Sequence, residues 1–114
     1  MRVKADWKQK TYTNGSIYFG EMVEDKRVGK GLYLFDSEDL YVGDWMDNMM
    51  NGNGIYVFKS GELYDGGLSK GLRSGYGKFS YKDGRVYEGH WEDNLKVGFG
   101  TVTFPNNTKF LGFF

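Results

Sequence analysis

The chain has 114 residues with one proline, no cysteine and 18 % aromatic residues. Its 15 basic and 15 acidic residues cancel, which argues against nucleic acid as a partner and against bulk attraction to anionic membranes. The aromatic content excludes a disordered chain, and the lack of cysteine excludes a disulfide scaffold and suits a reducing compartment. No apolar run approaches membrane-spanning length and no signal-peptide core follows Met1, so a cytoplasmic location is expected.

The sequence repeats every 23 residues. An aromatic residue with glycine two positions later opens each unit, at Tyr18, Tyr41, Tyr64, Tyr87 and Phe110. This period predicts four repeats, 18–40, 41–63, 64–86 and 87–109, followed by the start of a fifth at 110–114. Residues 1–17 are interpreted as an N-terminal capping half-repeat. In that segment Lys8 and Lys10 replace an inward glycine and an inward aromatic, as suits a terminal edge strand.

Each repeat is expected to form a β-hairpin. Its first half reads aromatic-x-Gly-x-large, and its second half reads Gly-x-aromatic-x-aromatic after six residues of turn. A period of two predicts strands with these residues on one face, where glycine lets a neighbouring ring lie on bare backbone. The fold expected is all-β: an elongated, single-layer antiparallel meander of about ten strands, roughly 45 Å long at about 4.8 Å per strand.

Turn residues agree with this fold. Position eight of each repeat holds a residue that tolerates positive φ, namely Asp25, Asn48, Gly71 or Asn94. A second turn is expected between repeats, at Asn14-Gly15 and its equivalents. In the first repeat Ser37-Glu38 occupies that place, so its turn is predicted to be less regular.

The first candidate site is the aromatic face. It is defined by Tyr18, Tyr33, Phe35, Tyr41, Trp45, Tyr56, Phe58, Tyr64, Phe79, Tyr81, Tyr87, Trp91 and Phe104. These rings either form only the core of the sheet or also line a groove for a segment of another protein, and the two roles are compatible.

The second candidate site is an apolar patch on the opposite face in repeats one and two. It comprises Phe19, Val23, Leu32, Leu34, Val42, Met46, Ile55 and Val57. In repeats three and four the same columns hold polar residues such as Asp65, Lys78, Glu88 and Thr101, so the patch is expected to cover half of the face. Either the N-terminal segment around Trp7 covers it, or it is a surface for a partner or for self-association.

Two further surfaces are candidates. Lys26, Arg27, Arg73 and Lys96 are expected in the hairpin turns beside apolar residues, where they could contact an anionic membrane, although nearby acids offset the attraction. Phe110, Phe113 and Phe114 end the chain as an apolar strand without a cap. That edge is expected to pair with another chain as a homodimer, or the natural protein continues beyond it.

Catalysis finds little support in the sequence. His90 is the single histidine and there is no cysteine, so neither a thiol nucleophile nor a Cys/His zinc site can be assembled. No nucleophile-elbow motif surrounds any serine. We therefore expect no catalytic residue, metal or cofactor in this segment, although it could direct a catalytic domain elsewhere in a larger protein.

The repeat resembles the MORN (membrane occupation and recognition nexus) repeat, through Tyr-x-Gly-x-Trp, Gly-x-Gly-x-aromatic-x-aromatic and a turn glycine. Met22 and Leu68 depart from it by replacing tryptophan. The resemblance implies a scaffolding or targeting module, with protein partners in cytoskeletal or membrane-junction assemblies, peptides in the aromatic groove and dimerisation through terminal repeats. Lipid binding holds for only some members, so peripheral membrane contact is the alternative.

Overall fold

The computed structural model describes residues 6–114, which form one antiparallel sheet of ten strands. Neighbours in the sheet are neighbours in the chain throughout. The strands are β1 (Asp6–Thr11), β2 (Ile17–Val23), β3 (Lys26–Leu34), β4 (Leu40–Met46), β5 (Met49–Val57), β6 (Leu63–Ser69), β7 (Leu72–Ser80), β8 (Val86–Glu92), β9 (Leu95–Thr103) and β10 (Lys109–Phe113). The described part measures 47 × 32 × 19 Å. The predicted single-layer meander is confirmed, while residues 1–5 of the expected cap lie outside the described residues.

The hairpin turns are tighter than the sequence predicted. Each contains two residues, and both have positive φ, as in Glu24 (50°) and Asp25 (64°) or Asp47 (50°) and Asn48 (69°). Two such residues define the type I′ turn, whose twist matches that of paired strands. The expectation of six turn residues was wrong, because β3, β5, β7 and β9 each begin directly after the two-residue turn.

The turns between repeats follow one pattern. In the first repeat the Phe35 N–H donates to the Asp39 carbonyl (2.9 Å) and the Glu38 N–H donates to the Phe35 carbonyl (2.9 Å). The equivalent bonds occur at Phe58 and Gly61 in the second repeat. The predicted irregular turn was therefore wrong. Glu38 adopts φ 72° at the place where other repeats have glycine or asparagine, so an ordinary side chain accepts the left-handed conformation here.

A β-bulge lies beside each hairpin turn. In the first hairpin Gly20 pairs with Gly31 and Met22 pairs with Arg27, so Glu21 faces three residues of β3. Gly29 bends the strand there with φ 59°. The Glu21 carboxylate accepts the Lys30 N–H that the bulge frees. In the second hairpin Asp44 accepts the Asn53 N–H at 2.9 Å. In these two repeats an acidic residue at the fourth position thus closes the bulge, whereas Gly67 and His90 occupy that position in the third and fourth repeats.

The leading tyrosines form the core by lying on glycine backbone. Tyr18, Tyr41, Tyr64 and Tyr87 are completely buried. A Cβ on Gly54 would overlap the Tyr41 ring, so the ring can lie flat only because the side chain is missing. The Tyr41 hydroxyl donates to the Asp44 carbonyl at 2.9 Å, inside the bulge. Because one ring fills the space above two strands, the sheet is packed without a second layer.

Candidate functional site

The aromatic face is divided into a buried floor and a more open rim. Its floor consists of the four leading tyrosines together with Tyr33, Trp45, Phe79 and Trp91, all less than 9 % exposed. The rim consists of rings packed against that floor but only partly covered, namely Phe35, Tyr56, Phe58 and Tyr81. Phe104, near the C-terminal end, is 37 % exposed. The face is thus both core and accessible surface, as a single-layer sheet requires.

Basic side chains of the tenth repeat position lie over these rings. The Arg27 guanidinium is 4.8 Å from the Trp45 ring centre and 4.9 Å from that of Tyr33. The Arg73 guanidinium is 4.7 Å from the Trp91 ring centre, and the Lys96 ammonium is 4.8 Å from that of Tyr87. Such cation–π contacts stabilise a partly desolvated cation.

This placement corrects the expectation that the basic residues lie in the turns. Arg27, Arg73 and Lys96 belong to β3, β7 and β9, where they pair with Met22, Leu68 and Trp91 and share their face. Lys26 is also in a strand; its ammonium pairs with Asp47 at 2.8 Å and remains half-exposed. The cationic heads that were expected at an edge are thus drawn over the aromatic rings.

The partner of each tenth-position residue is the ring at the eighteenth position of the preceding repeat. The Arg27 Nη1 donates to the Tyr12 hydroxyl at 2.7 Å, and its Nη2 donates to the Asn48 carbonyl at 2.7 Å. Lys96 likewise donates to the Tyr81 hydroxyl. Each of these cations therefore has a hydroxyl acceptor above the face.

Arg73 has no such hydroxyl, because its equivalent ring is Phe58. Its Nη2 donates to the Asn94 carbonyl at 3.2 Å. Among residues 6–114, its Nη1 has no hydrogen-bond acceptor and the guanidinium has no salt bridge, while its buried Nε is unpaired as it is in Arg27. Burial lowers the pKa of the Arg73 guanidinium, because desolvation disfavours the charge and no carboxylate compensates.

An open depression adjoins Arg73 in the middle of the aromatic face. It has a volume of about 190 Å³ and is lined by Met50, Tyr56, Phe58, Tyr64, Leu68, Gly71, Arg73 and Asn94. It exists because Leu68 stands where repeats two and four have tryptophan, so the floor beside Tyr56 is lower than beside Tyr33 or Phe79. The sequence indicated the substitution at Leu68 but not the resulting cavity.

Charge is separated between the two faces although the chain is neutral. The cations that lie over rings of the aromatic face are Lys10, Arg27, Arg73, Arg85 and Lys96. Among the described residues, the carboxylate bonded to a ring hydroxyl of this face is that of Asp39, which accepts from Tyr56 at 2.7 Å. On the strands of the opposite face the acids are Glu21, Asp44, Asp65, Glu88 and Glu92, against Lys26, Lys30, Lys78 and Lys109. Lys10 and Arg85 form salt bridges with Asp25 and Asp83, so the positive charge that the described residues leave uncompensated on the aromatic face is that of Arg27, Arg73 and Lys96.

The apolar patch of the opposite face lies where the alternation predicted. Seven of its eight side chains are exposed, with an exposed fraction between 37 % for Leu32 and 57 % for Met46. The eighth, Val57, is partly buried. Trp7 lies on this face and contacts Phe19, with ring centres 5.3 Å apart. It leaves Val42 (45 %) and Ile55 (40 %) in solvent. Within the described residues, covering by the N-terminal strand is thus limited to the Phe19 end.

A second apolar cluster on that face was missed by sequence reasoning, which named Phe113 only as part of the terminal edge. Tyr76, Phe99, Leu111 and Phe113 are each more than half exposed. Phe99 and Phe113 contact edge to face at 5.0 Å between ring centres. The expectation that repeats three and four are polar on this face was therefore wrong at Tyr76 and Phe99, while Leu111 and Phe113 belong to the start of the fifth repeat. The available signal was the thirteenth repeat position, which is Lys30 and Asn53 early in the chain but Tyr76 and Phe99 later.

The last strand divides its aromatic residues between the two faces. Phe114 packs edge to face on Tyr87, with ring centres 5.2 Å apart, and Phe110 shares that face but is 58 % exposed. Phe113 lies on the opposite face with Phe99. β10 pairs with β9 on one side only. The predicted self-association edge is therefore a free strand edge in the described chain, and its pairing stays a prediction.

Two structural observations bear on other function classes. Among residues 6–114, no three histidine, aspartate or glutamate side chains are arranged to hold a metal ion. The same residues contain no helix of the length and apolarity needed to cross a bilayer.

Comparison with protein families gives one result that covers the sheet. The sequence profile of the MORN repeat matches residues 18–39, 41–62, 64–84 and 87–109, in register with the four hairpins described above. A comparison with curated proteins gave no match. Four consecutive matches span more than half of the chain and coincide with the repeated tyrosine-on-glycine core, so this chain belongs to the MORN repeat family.

Proposed function

We propose that the chain is a non-catalytic scaffold or targeting module that binds an extended segment of another protein along its aromatic face. MORN repeats occur in protein- and membrane-binding modules, and the family is a repeat module rather than an enzyme family. The observation that carries the proposal is the depression beside Leu68, where Tyr56 and Phe58 form an open aromatic wall. Aromatic side chains in a partly desolvated groove are typical anchors for a bound peptide.

The test is selection of 12-residue peptides from a random display library on the purified chain. We expect selected peptides to bind in solution and to lose affinity when Tyr56→Ala and Phe58→Ala remove the wall. The control carries Val42→Asp and Ile55→Asp on the opposite face and is expected to retain binding. Failure to select any peptide, or loss of binding only in the control, would reject the groove as the binding surface.

The opposite face is proposed as a second association surface, favoured by the exposure of Val42, Met46 and Ile55. An apolar patch of this kind on a soluble protein commonly marks an interface. Sedimentation equilibrium would measure self-association, which Val42→Asp with Ile55→Asp should weaken. Thr101→Asp is the matched control, because Thr101 occupies the column of Ile55 in a polar repeat. Equal association of all three proteins would exclude this face.

Contact with an anionic membrane through the hairpin ends is a weaker proposal. It is favoured by the exposure of Met49, Leu72 and Leu95 at neighbouring hairpin ends. The stacking of Arg27 and Arg73 on rings leaves little free charge there, and each basic residue near a bilayer contributes only about 1 kcal/mol. Pelleting with phosphatidylserine vesicles tests it. Salt-sensitive binding that is lost in Arg27→Glu with Arg73→Glu would support the membrane role. A cytoplasmic location, with association to the cytoskeleton or to a membrane, is likewise a proposal.

A further inference from the structure

We propose that Arg73 binds a carboxylate of the partner segment, so that the groove selects an acidic peptide with an apolar residue beside the acid. This inference rests on the proposed function, since it names the partner chemistry of the same groove. It depends on one irregularity in an otherwise regular set of contacts on the aromatic face.

The regular set pairs each tenth-position residue with a suitable ring from the preceding repeat. Arg27 and Lys96 donate to the hydroxyls of Tyr12 and Tyr81. In the second repeat the pair is Met50 and Phe35, where neither residue has a polar group. Three of the four positions thus match a cation with a hydroxyl or an apolar side chain with an apolar ring.

The third repeat breaks this match. Arg73 faces Phe58, which offers no acceptor, so Nη1 has no hydrogen-bond partner among residues 6–114. Burying a charged group without full compensation is costly. Trp91 stacks on one surface of the guanidinium and Asn94 fixes its Nη2, so the unpaired donor is held in place at the wall of the depression.

The surroundings determine which ligand fits. Arg73 has no salt bridge within the described residues, and the other cations of this face add a positive potential. A carboxylate can accept a charge-assisted hydrogen bond from Nη1, the donor that the contacts with Asn94 and Trp91 leave open. Met50, Tyr56 and Leu68 offer apolar contact next to it. In an extended segment, side chains two residues apart share a side and stand about 6.6 Å apart, so an acid at one position and an apolar residue two positions away would fit.

The experiment compares peptide selection on the natural chain, on Arg73→Gln and on Phe58→Tyr. The natural chain should enrich Asp or Glu two residues from an aliphatic or aromatic residue. Replacing the acid by its amide in the best peptide should weaken binding about 10- to 100-fold, the range for a charge-assisted hydrogen bond. Arg73→Gln should abolish the preference for acid over amide. Phe58→Tyr should reduce it, because the new hydroxyl copies Tyr12 and occupies Nη1 while keeping the charge.

Lys78→Gln is the matched control, since it removes one positive charge from the opposite face. It should keep the acidic preference, which separates local pairing from the general field. Circular dichroism of every variant checks that the sheet is folded, and Phe58→Tyr tests the idea even if Arg73→Gln unfolds.

The outcomes separate the two proposals. Selected peptides without acidic preference, or a preference that survives in both Arg73→Gln and Phe58→Tyr, would overturn the carboxylate site and leave groove binding intact. Failure to select any peptide would overturn both. Binding to phosphatidylserine vesicles that needs Arg73, without acid-dependent peptide binding, would overturn the peptide assignment in favour of a lipid headgroup.

Discussion

The two faces of this sheet share every strand but are held by different forces. On the aromatic face, rings such as Tyr41 and Tyr64 are fully buried against glycine backbone and each other. On the opposite face, residues such as Val42 alternate with acids such as Asp44, and Val42 remains 45 % exposed. The stability of a single-layer sheet is thus concentrated in one face. The other face is free to vary, and its changing composition from repeat to repeat is consistent with that freedom.

The largest contrast between the faces is expected from truncating one buried and one exposed side chain. Tyr64→Ala should lower the free energy of unfolding by about 3–5 kcal/mol, because it removes a buried ring and leaves a cavity. Ile55→Ala, on the other face of the adjacent strand, should cost less than about 1 kcal/mol. Urea unfolding followed by circular dichroism measures both. Similar losses for the two variants would contradict a one-sided core.

A smaller effect is expected from the glycines on which the rings lie. Gly54→Ala would place a methyl group inside the Tyr41 ring and should cost about 1–3 kcal/mol through forced displacement. Gly61→Asn is the control. Gly61 has positive φ and open space around it, and Asn107 already occupies the equivalent position at φ 69°. The melting temperature of the Gly61→Asn variant should stay close to that of the natural chain. An equal decrease in melting temperature in both variants would mean that the space above Gly54 is not the limiting factor.

Alkaline pH should weaken the aromatic face selectively. Burial raises the pKa of Tyr18 and of Tyr64 to about 12, from an ordinary value near 10. Because the folded pKa lies above the unfolded one, this stabilisation is complete below pH 10 and is lost as the pH rises through 12. The urea midpoint should therefore fall between pH 10 and pH 12. Tyr64→Phe should reduce the steepness of that fall, and an unchanged slope would argue against titration of this ring.

The smallest effect on stability is expected on the opposite face. Val42→Asp should change the free energy of unfolding by less than about 0.5 kcal/mol, because the side chain is 45 % exposed. Repeats three and four already carry Asp65 and Glu88 in the same column. Thermal unfolding would measure it. A loss of several kcal/mol would show that this face contributes to the core after all.

Much of the fold could be predicted because the repeat encodes it locally. The spacing of Tyr41, Gly43 and Gly54 specified strands, faces and the ring-on-backbone packing. The positions of Arg27 and Arg73 could not be predicted in the same way. Their assignment depended on where the turn ends, and the two-residue turn with its bulge places them on a strand of the aromatic face. A long basic side chain can reach either solvent or a ring, and sequence spacing does not distinguish the two.

The candidate site shows the same limit. The aromatic residues could be named from the sequence, but the unpaired donor of Arg73 depends on its position beside Phe58 in the depression and on its bond to Asn94. The cluster around Phe99 was also overlooked, because it is formed by residues of different strands whose contact appears only after the register is known.

The most direct test of a face that both stabilises the sheet and binds partners is amide chemical-shift mapping with a selected peptide. The account predicts that the perturbed amides cluster at Tyr56 on β5, at Phe58 directly after β5, at Leu68 on β6 and at Arg73 on β7. Amides of the opposite-face patch on β2 and β3, such as Phe19 and Leu32, should stay unchanged. Perturbation confined to the opposite-face patch, with the amides around Arg73 unaffected, would contradict it.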